Sequence, residues 1–189
     1  ELNKIHWRRK EMNEEVKILL EEQQIITRVK EIAGQINQEY EGKEIYLLSI
    51  LKGSVYFACE LSKHLTVPVK LGFMSVSSYG DGLTSSGAVT ISGDADVEVQ
   101  GRHVIVIEDI IDTGRTLSFL MNMLAKRKPE SLKLCTLLDK PDRRVVDVVV
   151  DYVGFEVPDK FLVGFGLDYA QKYRNLPCIG ELVFKEDRQ

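Results

Sequence analysis

The chain of 189 residues carries a formal net charge of −4, and 44% of its residues are hydrophobic and 29% charged. This composition is typical of a folded globular protein and excludes an intrinsically disordered chain. The acidic charge gives no general attraction to nucleic acid, and no apolar run approaches the roughly 20 residues that cross a bilayer, so we expect neither partner.

The first half of the chain alternates between helical and strand-like patterns. Apolar residues recur at helical spacing over residues 16–40, which predicts a helix. The apolar run 45–51 predicts a strand buried on both faces, and 54–65 predicts a helix with Ser54 as its N-cap. Residues 67–76 predict another strand. The Gly- and Ser-rich segment at about 78–92 is expected to be a flexible active-site loop.

The second half continues the alternation. Residues 104–107 predict a buried strand, 116–126 a helix that ends before Pro129, and 132–138 and 146–152 two further strands. Strands alternating with helices predict an α/β fold, in which a central, mainly parallel sheet is flanked by helices. Ligands of such sheets bind at the carboxyl ends of the strands. We expect one domain over residues 1–189, with a small hood from the N-terminal and C-terminal segments.

The three cysteines, Cys59, Cys135 and Cys178, are widely separated and form no CxxC pair. This spacing argues against a disulfide framework or a zinc cluster and favours a reducing, cytoplasmic location. Cys135 lies in an apolar run, where a buried thiol is expected. The first residues are charged without an apolar stretch behind them, so no signal peptide is expected.

Two adjacent carboxylates, Glu108 and Asp109, directly follow the most apolar strand. Unpaired acids are costly to bury, so these are best explained by hydrogen bonds to sugar hydroxyls or by a divalent cation. The next segment, residues 112–116, reads Asp-Thr-Gly-Arg-Thr and opens a helix. A small turn at a helix N-terminus presents backbone N–H groups, and threonine hydroxyls add donors, which predicts a phosphate cradle. The alternative, an ordinary capped helix beside solvated acids, does not explain the whole pattern.

Residues 104–116 resemble the signature of the type I phosphoribosyltransferases, whose shared substrate is phosphoribosyl diphosphate. Several further segments resemble the bacterial-type hypoxanthine-guanine branch of that family in order and spacing: residues 51–54, 78–79, 138–144, 153–164 and 167–177. The resemblance spans roughly residues 16–183. It implies the type I phosphoribosyltransferase fold and a purine salvage reaction. In that reaction purine N9 of hypoxanthine or guanine attacks the ribose anomeric carbon, pyrophosphate leaves with Mg²⁺, and IMP or GMP forms.

The resemblance also implies roles for individual residues. The phosphoribosyl group would be bound by Glu108, Asp109, Asp112, Thr113, Gly114, Arg115 and Thr116. Asp112 would act at purine N7, either as a general base or as a hydrogen-bond partner, and the sequence leaves both roles open. Asp168 would be a magnesium ligand, with Glu108 and Asp109 close to the metal.

The purine and pyrophosphate are assigned to other segments. The purine would contact Ile110, Lys140, Phe161 and Leu162, with Lys140 donating to the 6-oxo group and Phe161 stacking on the ring. Pyrophosphate would meet Lys52, Gly53 and Arg174, the last at the end of a helix after Asp168. Because the corresponding peptide is often cis in the family, we predict a cis Leu51–Lys52 bond. Ser78 and Tyr79 would begin a loop that closes over the site.

Three alternatives remain at this point. The base could instead be xanthine or a pyrimidine, because contacts at the purine 2-position cannot be deduced from sequence. The chain could be a regulator that senses the ribosyl substrate and binds nucleic acid, which would require a broad basic face. It could also be a catalytically silent assembly partner, against which the intact acids and Lys52 argue. The family resemblance implies a homodimer or homotetramer.

Overall fold

The computed structural model describes residues 14–78, 89–92 and 98–184. Its elements, in chain order, are β1 (Glu14–Leu20), α1 (Glu22–Glu39), β2 (Ile45–Leu51), α2 (Val55–Lys63), β3 (Val69–Ser78), β4 (Val89–Ser92), β5 (His103–Ile111), α3 (Arg115–Ala125), β6 (Ser131–Asp139), a 3₁₀ turn (Pro141–Arg143), β7 (Tyr152–Glu156), β8 (Leu162–Val163) and β9 (Ile179–Phe184).

The larger sheet has the strand order β4-β3-β2-β5-β6-β7. All neighbouring pairs are parallel except β3 and β4, which are antiparallel. The predicted α/β fold with a mainly parallel sheet is therefore confirmed. In this order β2 and β5 lie side by side, so the loops that leave their carboxyl ends emerge together.

A smaller antiparallel sheet has the order β1-β9-β8. Glu14 pairs with Phe184 at one end of the β1–β9 ladder, and Leu162 pairs with Glu181 in the β8–β9 ladder. This sheet corresponds to the hood expected from the terminal segments. The smaller sheet also contains β8, so the segment that connects β8 to β9 is anchored to this sheet at both ends.

Helices cover both faces of the larger sheet. One core cluster joins α1 and α2 to alternate strand residues and includes Ile32, Phe57 and Ile105, all fully buried. The other joins α3 to the opposite face and includes Leu120, Val104 and Val106. The apolar residues of β5 therefore alternate between two cores, which is why the strand reads as a continuous apolar run.

The prediction of one helix over residues 16–40 is wrong in its first part. Residues 14–20 form β1, and α1 begins at Glu22. The helical spacing that the sequence displays belongs to Ile25, Val29 and later residues, which are buried. The preceding residues are held instead by hydrogen bonds to β9, a strand more than 150 positions away in the sequence.

The predicted strand over residues 146–152 is also wrong, because β7 begins only at Tyr152. Val146, Val148 and Val150 are half-buried while their neighbours are exposed, so burial alternates along this valine-rich segment as it does in a strand. The backbone N–H groups of Val145 and Val146, however, donate to the Thr113 carbonyl at 3.0 and 3.1 Å rather than to a strand.

Two smaller predictions have definite outcomes. Ser54 does occupy the N-cap position of α2, but its hydroxyl donates to the Ile50 carbonyl at 2.7 Å instead of capping the helix. Cys135 is fully buried in β6, as expected. No helix in the described ranges combines the length and the apolar character needed to cross a membrane.

Candidate active site

The loop after β2, the end of β5 and the segment after β8 meet in close contact. A β-carbon added to Gly53 would overlap the Asp109 carboxylate, and one added to Gly166 would overlap the Gly53 carbonyl oxygen. These contacts require residues without side chains at both positions. They bring together three predicted components of the site: the pyrophosphate loop, the acid pair and the segment that leads to Asp168.

The acid pair lies at the end of β5, where burial disfavours its ionised form. Burial, followed by the neighbouring Asp109 charge, raises the pKa of Glu108 well above its ordinary range. Burial likewise raises the pKa of Asp109 to about 6. Glu108 Oε2 is buried and has no hydrogen-bond partner among the described residues. A ligand that supplies hydroxyl donors or positive charge would satisfy these groups.

The predicted phosphate cradle forms the turn into α3. Gly114 adopts a left-handed backbone with φ +81° at the N-cap of the helix. A β-carbon there would overlap the Val146 carbonyl oxygen, so the turn requires glycine for its conformation and for its packing. Thr113 and Thr116 are half-buried and Arg115 is exposed. The N-terminus of α3 and the two threonine hydroxyls therefore lie where the sequence placed the anion site.

Asp112 is half-exposed and is held by an arginine from the 3₁₀ turn. Arg143 Nε donates to Asp112 Oδ1 at 2.9 Å, and Arg143 Nη2 lies 3.5 Å from Asp112 Oδ2. The other end of the guanidinium, Nη1, lies 3.5 Å from Asp159 Oδ2. The Asp112 carboxylate is thus oriented by a near-bidentate pair.

Lys140 follows β6, and its side chain is largely buried, with 11% of it exposed. Its ammonium donates to the Lys160 carbonyl at 2.7 Å and lies 3.5 Å from Asp159 Oδ1. An ammonium has three donors and no acceptor. Only the contact with Lys160 is a hydrogen bond, so the ammonium keeps donors for a further acceptor and offers nothing to an amino group.

Three aromatic rings from the segments around β8 and β9 are in contact with one another. Phe161 precedes β8, and 52% of it is exposed. Its ring meets that of Tyr169 edge-on with centroids 5.6 Å apart, and Tyr169 meets Phe184 in the same way at 5.4 Å. Leu162 is buried in β8, and Ile110 is half-buried in β5. The exposed Phe161 face is available for stacking, since its neighbour contacts it edge-on.

Asp168 and Arg174 face each other in the segment between β8 and β9. Arg174 Nη2 lies 2.7 Å from Asp168 Oδ1, and Nη1 donates to the Gly166 carbonyl at 2.7 Å. The helix expected between them is absent from this described segment, which consists of turns and a Tyr169–Lys172 bridge. Ala170, Gln171 and Tyr173 have positive φ angles, which an α-helix does not allow.

The remaining predicted residues are Lys52, Ser78 and Tyr79. Lys52 is exposed, and the peptide bond before it is cis, which confirms the prediction for Leu51–Lys52. Ser78 ends β3, and its side chain is outside the description. Tyr79, like the centre of the predicted active-site loop, lies outside the described residues.

Sequence reasoning missed three contributors to the site. Arg143 and Arg144 lie in the family-like segment 138–144, and Asp159 lies in the segment 153–164, but the sequence analysis gave none of them a role. Arg144 forms an ion pair with Asp139 and packs against the Gly114 turn. The available signal was charge density beside Lys140, but the partners lie on separate elements and only the fold pairs them.

The donor set fits a magnesium ion that is held partly by substrate. Among the described residues no three His, Cys, Asp or Glu side chains are grouped for a metal cage. Magnesium, however, is usually bound through one or two carboxylates together with substrate phosphates. Asp168 lies beside Arg174 and interacts electrostatically with Asp109, so these carboxylates could share an ion with the phosphates of a substrate.

Comparison with known proteins gives one consistent result. Residues 15–170 match the family model described as phosphoribosyl transferase domain. A hypoxanthine-guanine phosphoribosyltransferase from Streptococcus thermophilus is 52% identical over 171 residues, which is 90% of this chain and 94% of that protein. The same-named protein of Streptococcus agalactiae is 50% identical over 93% of this chain and 96% of its own. The crystal structure of a Bacillus anthracis hypoxanthine-guanine phosphoribosyltransferase, with HEPES in the active site, superposes with a TM-score of 0.83. It shares 47% identity and covers 90% of this chain and 99% of its own.

Proposed function

The chain belongs to the phosphoribosyltransferase family, and from that premise we propose that it transfers the 5-phosphoribosyl group of phosphoribosyl diphosphate to N9 of hypoxanthine or guanine. The products are IMP or GMP and pyrophosphate. This is the purine salvage reaction of the relatives that are half identical to it over almost their whole length.

The Lys140 ammonium is the observation that best supports a 6-oxopurine. It is largely buried, donates to the Lys160 carbonyl, lies 3.5 Å from Asp159, and keeps donors for a substrate acceptor. Hypoxanthine and guanine present an oxygen at position 6, whereas adenine presents an amino donor. A buried ammonium facing that amino group would lose a hydrogen bond, which is a strong basis for discrimination.

The other residues of the site are assigned to the 5′-phosphate, the ribose and the purine. The Gly114 turn and the N-terminus of α3 bind the 5′-phosphate, and the Glu108–Asp109 pair accepts hydrogen bonds from the ribose hydroxyls. Phe161 stacks on the purine and Ile110 and Leu162 line it. Asp112 accepts the N7 proton or a hydrogen bond from it as N9 attacks the anomeric carbon. No protein nucleophile is required, because the ribosyl centre becomes cationic as its bond to pyrophosphate breaks.

The departing pyrophosphate is assigned to Lys52, Gly53 and Arg174. Arg174 would exchange part of its contact with Asp168 for the phosphate oxygens. A bound magnesium ion would neutralise charge on the diphosphate and so make it a better leaving group. Asp168 would be its protein ligand, with Glu108 and Asp109 close to it. Ser78 and Tyr79 would begin the loop that excludes water from the cationic centre.

Incubation with phosphoribosyl diphosphate, Mg²⁺ and a panel of bases tests this function directly. We expect nucleotide formation with hypoxanthine and guanine and little with adenine. Turnover with xanthine would widen the proposal, because contacts at the purine 2-position are not determined by Lys140. Failure with both 6-oxopurines, or equal turnover with adenine, would reject it. Chelation of the metal is expected to stop the reaction.

We also propose an oligomeric state, a cellular location and a domain organisation for the chain. Leu71 and Phe73 lie two residues apart on β3 and so share a face of the sheet, and 44% and 42% of their surface is exposed, which favours a homodimer or homotetramer. Light scattering of the purified protein would measure its mass. The free cysteines suit the cytoplasm. We expect one phosphoribosyltransferase domain over residues 1–189, which a single cooperative unfolding transition would support.

A further inference from the structure

A chain of four charged side chains connects the two groups assigned to the purine edge. Asp112 pairs with Arg143 at 2.9 Å, and Arg143 reaches Asp159 at 3.5 Å. Asp159 uses its other carboxylate oxygen to reach the Lys140 ammonium at 3.5 Å. The order Asp112–Arg143–Asp159–Lys140 alternates in sign, so each inner group attracts both of its neighbours.

The four members come from separate parts of the fold. Asp112 leaves β5, Lys140 leaves β6, Arg143 ends the 3₁₀ turn, and Asp159 precedes β8 of the smaller sheet. Asp112, Arg143 and Asp159 each have about half of their side chain exposed, whereas Lys140 is largely buried. Pairs at such exposure contribute little to global stability. Their geometry therefore calls for an explanation other than holding the fold together.

The chemistry of the base supplies that explanation. N7 and O6 lie on the same edge of a 6-oxopurine, so groups that contact both atoms must keep a fixed separation. A flexible aspartate and a flexible lysine on different loops would lose entropy on reaching that arrangement. We propose that Arg143 and Asp159 are positioning residues that hold Asp112 and Lys140 at the separation needed to bind N7 and O6 of one base.

The inference rests on the proposed function, and each residue has a distinct part in it. Arg143 orients the Asp112 carboxylate through two nitrogens, while the carboxylate keeps lone pairs for the base. The Lys160 carbonyl accepts one hydrogen bond from Lys140, and the Asp159 carboxylate attracts the ammonium at 3.5 Å. The two contacts together fix where the remaining donors of the ammonium lie. Losing Arg143 should therefore reduce turnover, and losing Asp159 should reduce affinity for the base.

Arg143→Gln and Asp159→Asn, alone and together, test the bridge by steady-state kinetics with hypoxanthine and phosphoribosyl diphosphate. We expect Arg143→Gln to lower kcat about tenfold, a fraction of what a positioned base supplies, with the phosphoribosyl diphosphate KM within about twofold. Asp159→Asn is expected to raise the hypoxanthine KM several-fold. The fold-loss of kcat/KM for hypoxanthine in the double variant should be smaller than the product of the fold-losses in the two single variants, because either change breaks the same bridge.

Matched controls separate positioning from a structural effect. Arg102→Gln removes another partly exposed, ion-paired arginine, which contacts Glu98 far from the carboxyl ends of the strands, and should leave both KM values and kcat unchanged. Arg143→Lys keeps the charge but loses the planar fork, and should recover part of the lost kcat. Melting temperatures of all variants are expected to match that of the unmodified protein.

Several outcomes would overturn the proposal. Wild-type kinetics in both single variants, fully multiplicative losses in the double variant, or equal loss of affinity for both substrates would each contradict the bridge while leaving the transferase activity established. A large fall in melting temperature in both variants would assign the charges a structural role. Absence of wild-type turnover with any 6-oxopurine would reject the proposed function, and the bridge with it.

Discussion

The Asp112 carboxylate is the group that we propose acts at purine N7. It is half-exposed and directed by Arg143 rather than buried with the acid pair. We therefore expect Asp112→Asn to lower kcat about 10²- to 10³-fold, within the usual contribution of a positioned base, and to change the KM of phosphoribosyl diphosphate little. Steady-state kinetics would measure both quantities.

An exposed carboxylate of the neighbouring segment provides the control. Asp147→Asn should behave as the unmodified protein, because Asp147 lies on the solvent side of the segment between the 3₁₀ turn and β7. Equal losses of kcat and of affinity in Asp112→Asn would argue against a role in the chemical step.

Gly53 has no room for a side chain in its present surroundings. A β-carbon there would overlap the Asp109 carboxylate, and the Gly53 carbonyl is itself packed against Gly166. We expect Gly53→Ala to destabilise the protein by about 1–3 kcal/mol, the usual cost of overpacking, and to weaken phosphoribosyl diphosphate binding. Urea unfolding and KM measurements would test both effects.

Gly34 offers the matched substitution. It lies in α1 with nothing within 4 Å of an added β-carbon. Gly34→Ala should stabilise the helix by roughly 0.5–1 kcal/mol without affecting KM. A Gly53→Ala variant as stable and active as Gly34→Ala would show that Asp109 moves aside freely.

At the scale of elements, local pattern was informative where a segment's partners are its own sequence neighbours. The strand β2, the helix α3 and the turn between β5 and α3 could be predicted, because burial and helix termination leave local signals. The strand β1 could not, since its hydrogen bonds go to β9. Residues 146–150 imitate a strand because alternate valines pack against a core, yet their backbone braces the Thr113 turn.

The same distinction applies to the candidate site. The acids, the phosphate turn, Lys140 and Arg174 carry motifs that can be matched along the sequence. The Arg143–Asp159 bridge carries none, because its members lie 16 residues apart on elements that only tertiary structure brings together. The helix predicted between Asp168 and Arg174 is wrong because the conformation of this segment is likewise not visible in its sequence. Its left-handed residues are ordinary in type, and nothing in their sequence indicates that conformation.

A polar contact joins α1 to the strands on one side of the sheet and gives the fold a dependence on pH. Glu39, at the end of α1, pairs with Lys133 of β6 at 2.5 Å and accepts a hydrogen bond from Tyr152 of β7 at 2.5 Å. The Lys133 hydrogen bond, followed by that of Tyr152, lowers the pKa of Glu39 below its ordinary value of 4.5. Stability from ionised Glu39 is complete above that value and is lost as pH falls through the lower pKa of the folded state.

Glu39→Gln should therefore be less stable than the unmodified protein by about 1 kcal/mol at neutral pH, a typical upper value for a partly exposed pair. The difference should shrink as the pH falls from about 4.5 through the lower pKa of the folded state, below which Glu39 is protonated in both states. Urea unfolding at several pH values would measure it. Glu31→Gln, which removes an exposed pair with Arg28 on the same helix, should have a smaller effect. A difference independent of pH would contradict the assignment.

At the scale of the whole molecule, the buried acid pair should couple ligand binding to the stability of the fold. Glu108 has a buried oxygen without a partner, and burial raises the pKa of Asp109 to about 6. Hydroxyl donors and positive charge should relieve both. Phosphoribosyl diphosphate with Mg²⁺ at one hundred times its Kd is expected to stabilise the protein by about 2.7 kcal/mol. Thermal unfolding with and without the pair would show the corresponding rise in Tm.

Two comparisons identify the source of that stabilisation. Chelation of the metal, or Asp168→Asn, should reduce the rise in Tm, because Asp168 is the proposed magnesium ligand. Hypoxanthine alone should produce a smaller rise, since it does not reach the acid pair. A rise that is unchanged by chelation would place the stabilising contacts elsewhere.

The pairing of Glu14 with Phe184 has a consequence for the covalent order of the chain. These residues are direct neighbours across the β1–β9 ladder, so a short linker could join them without disturbing either strand. The ring formed in this way could be reopened in the exposed turn between α1 and β2, around residues 41–44. Such a circular permutant would retain the β2, β5 and β6 loops on one sheet edge. The two ends of the described fold are therefore adjacent in space. The arrangement of the candidate site depends on which strands are neighbours in the sheets, and not on the order in which they are synthesised.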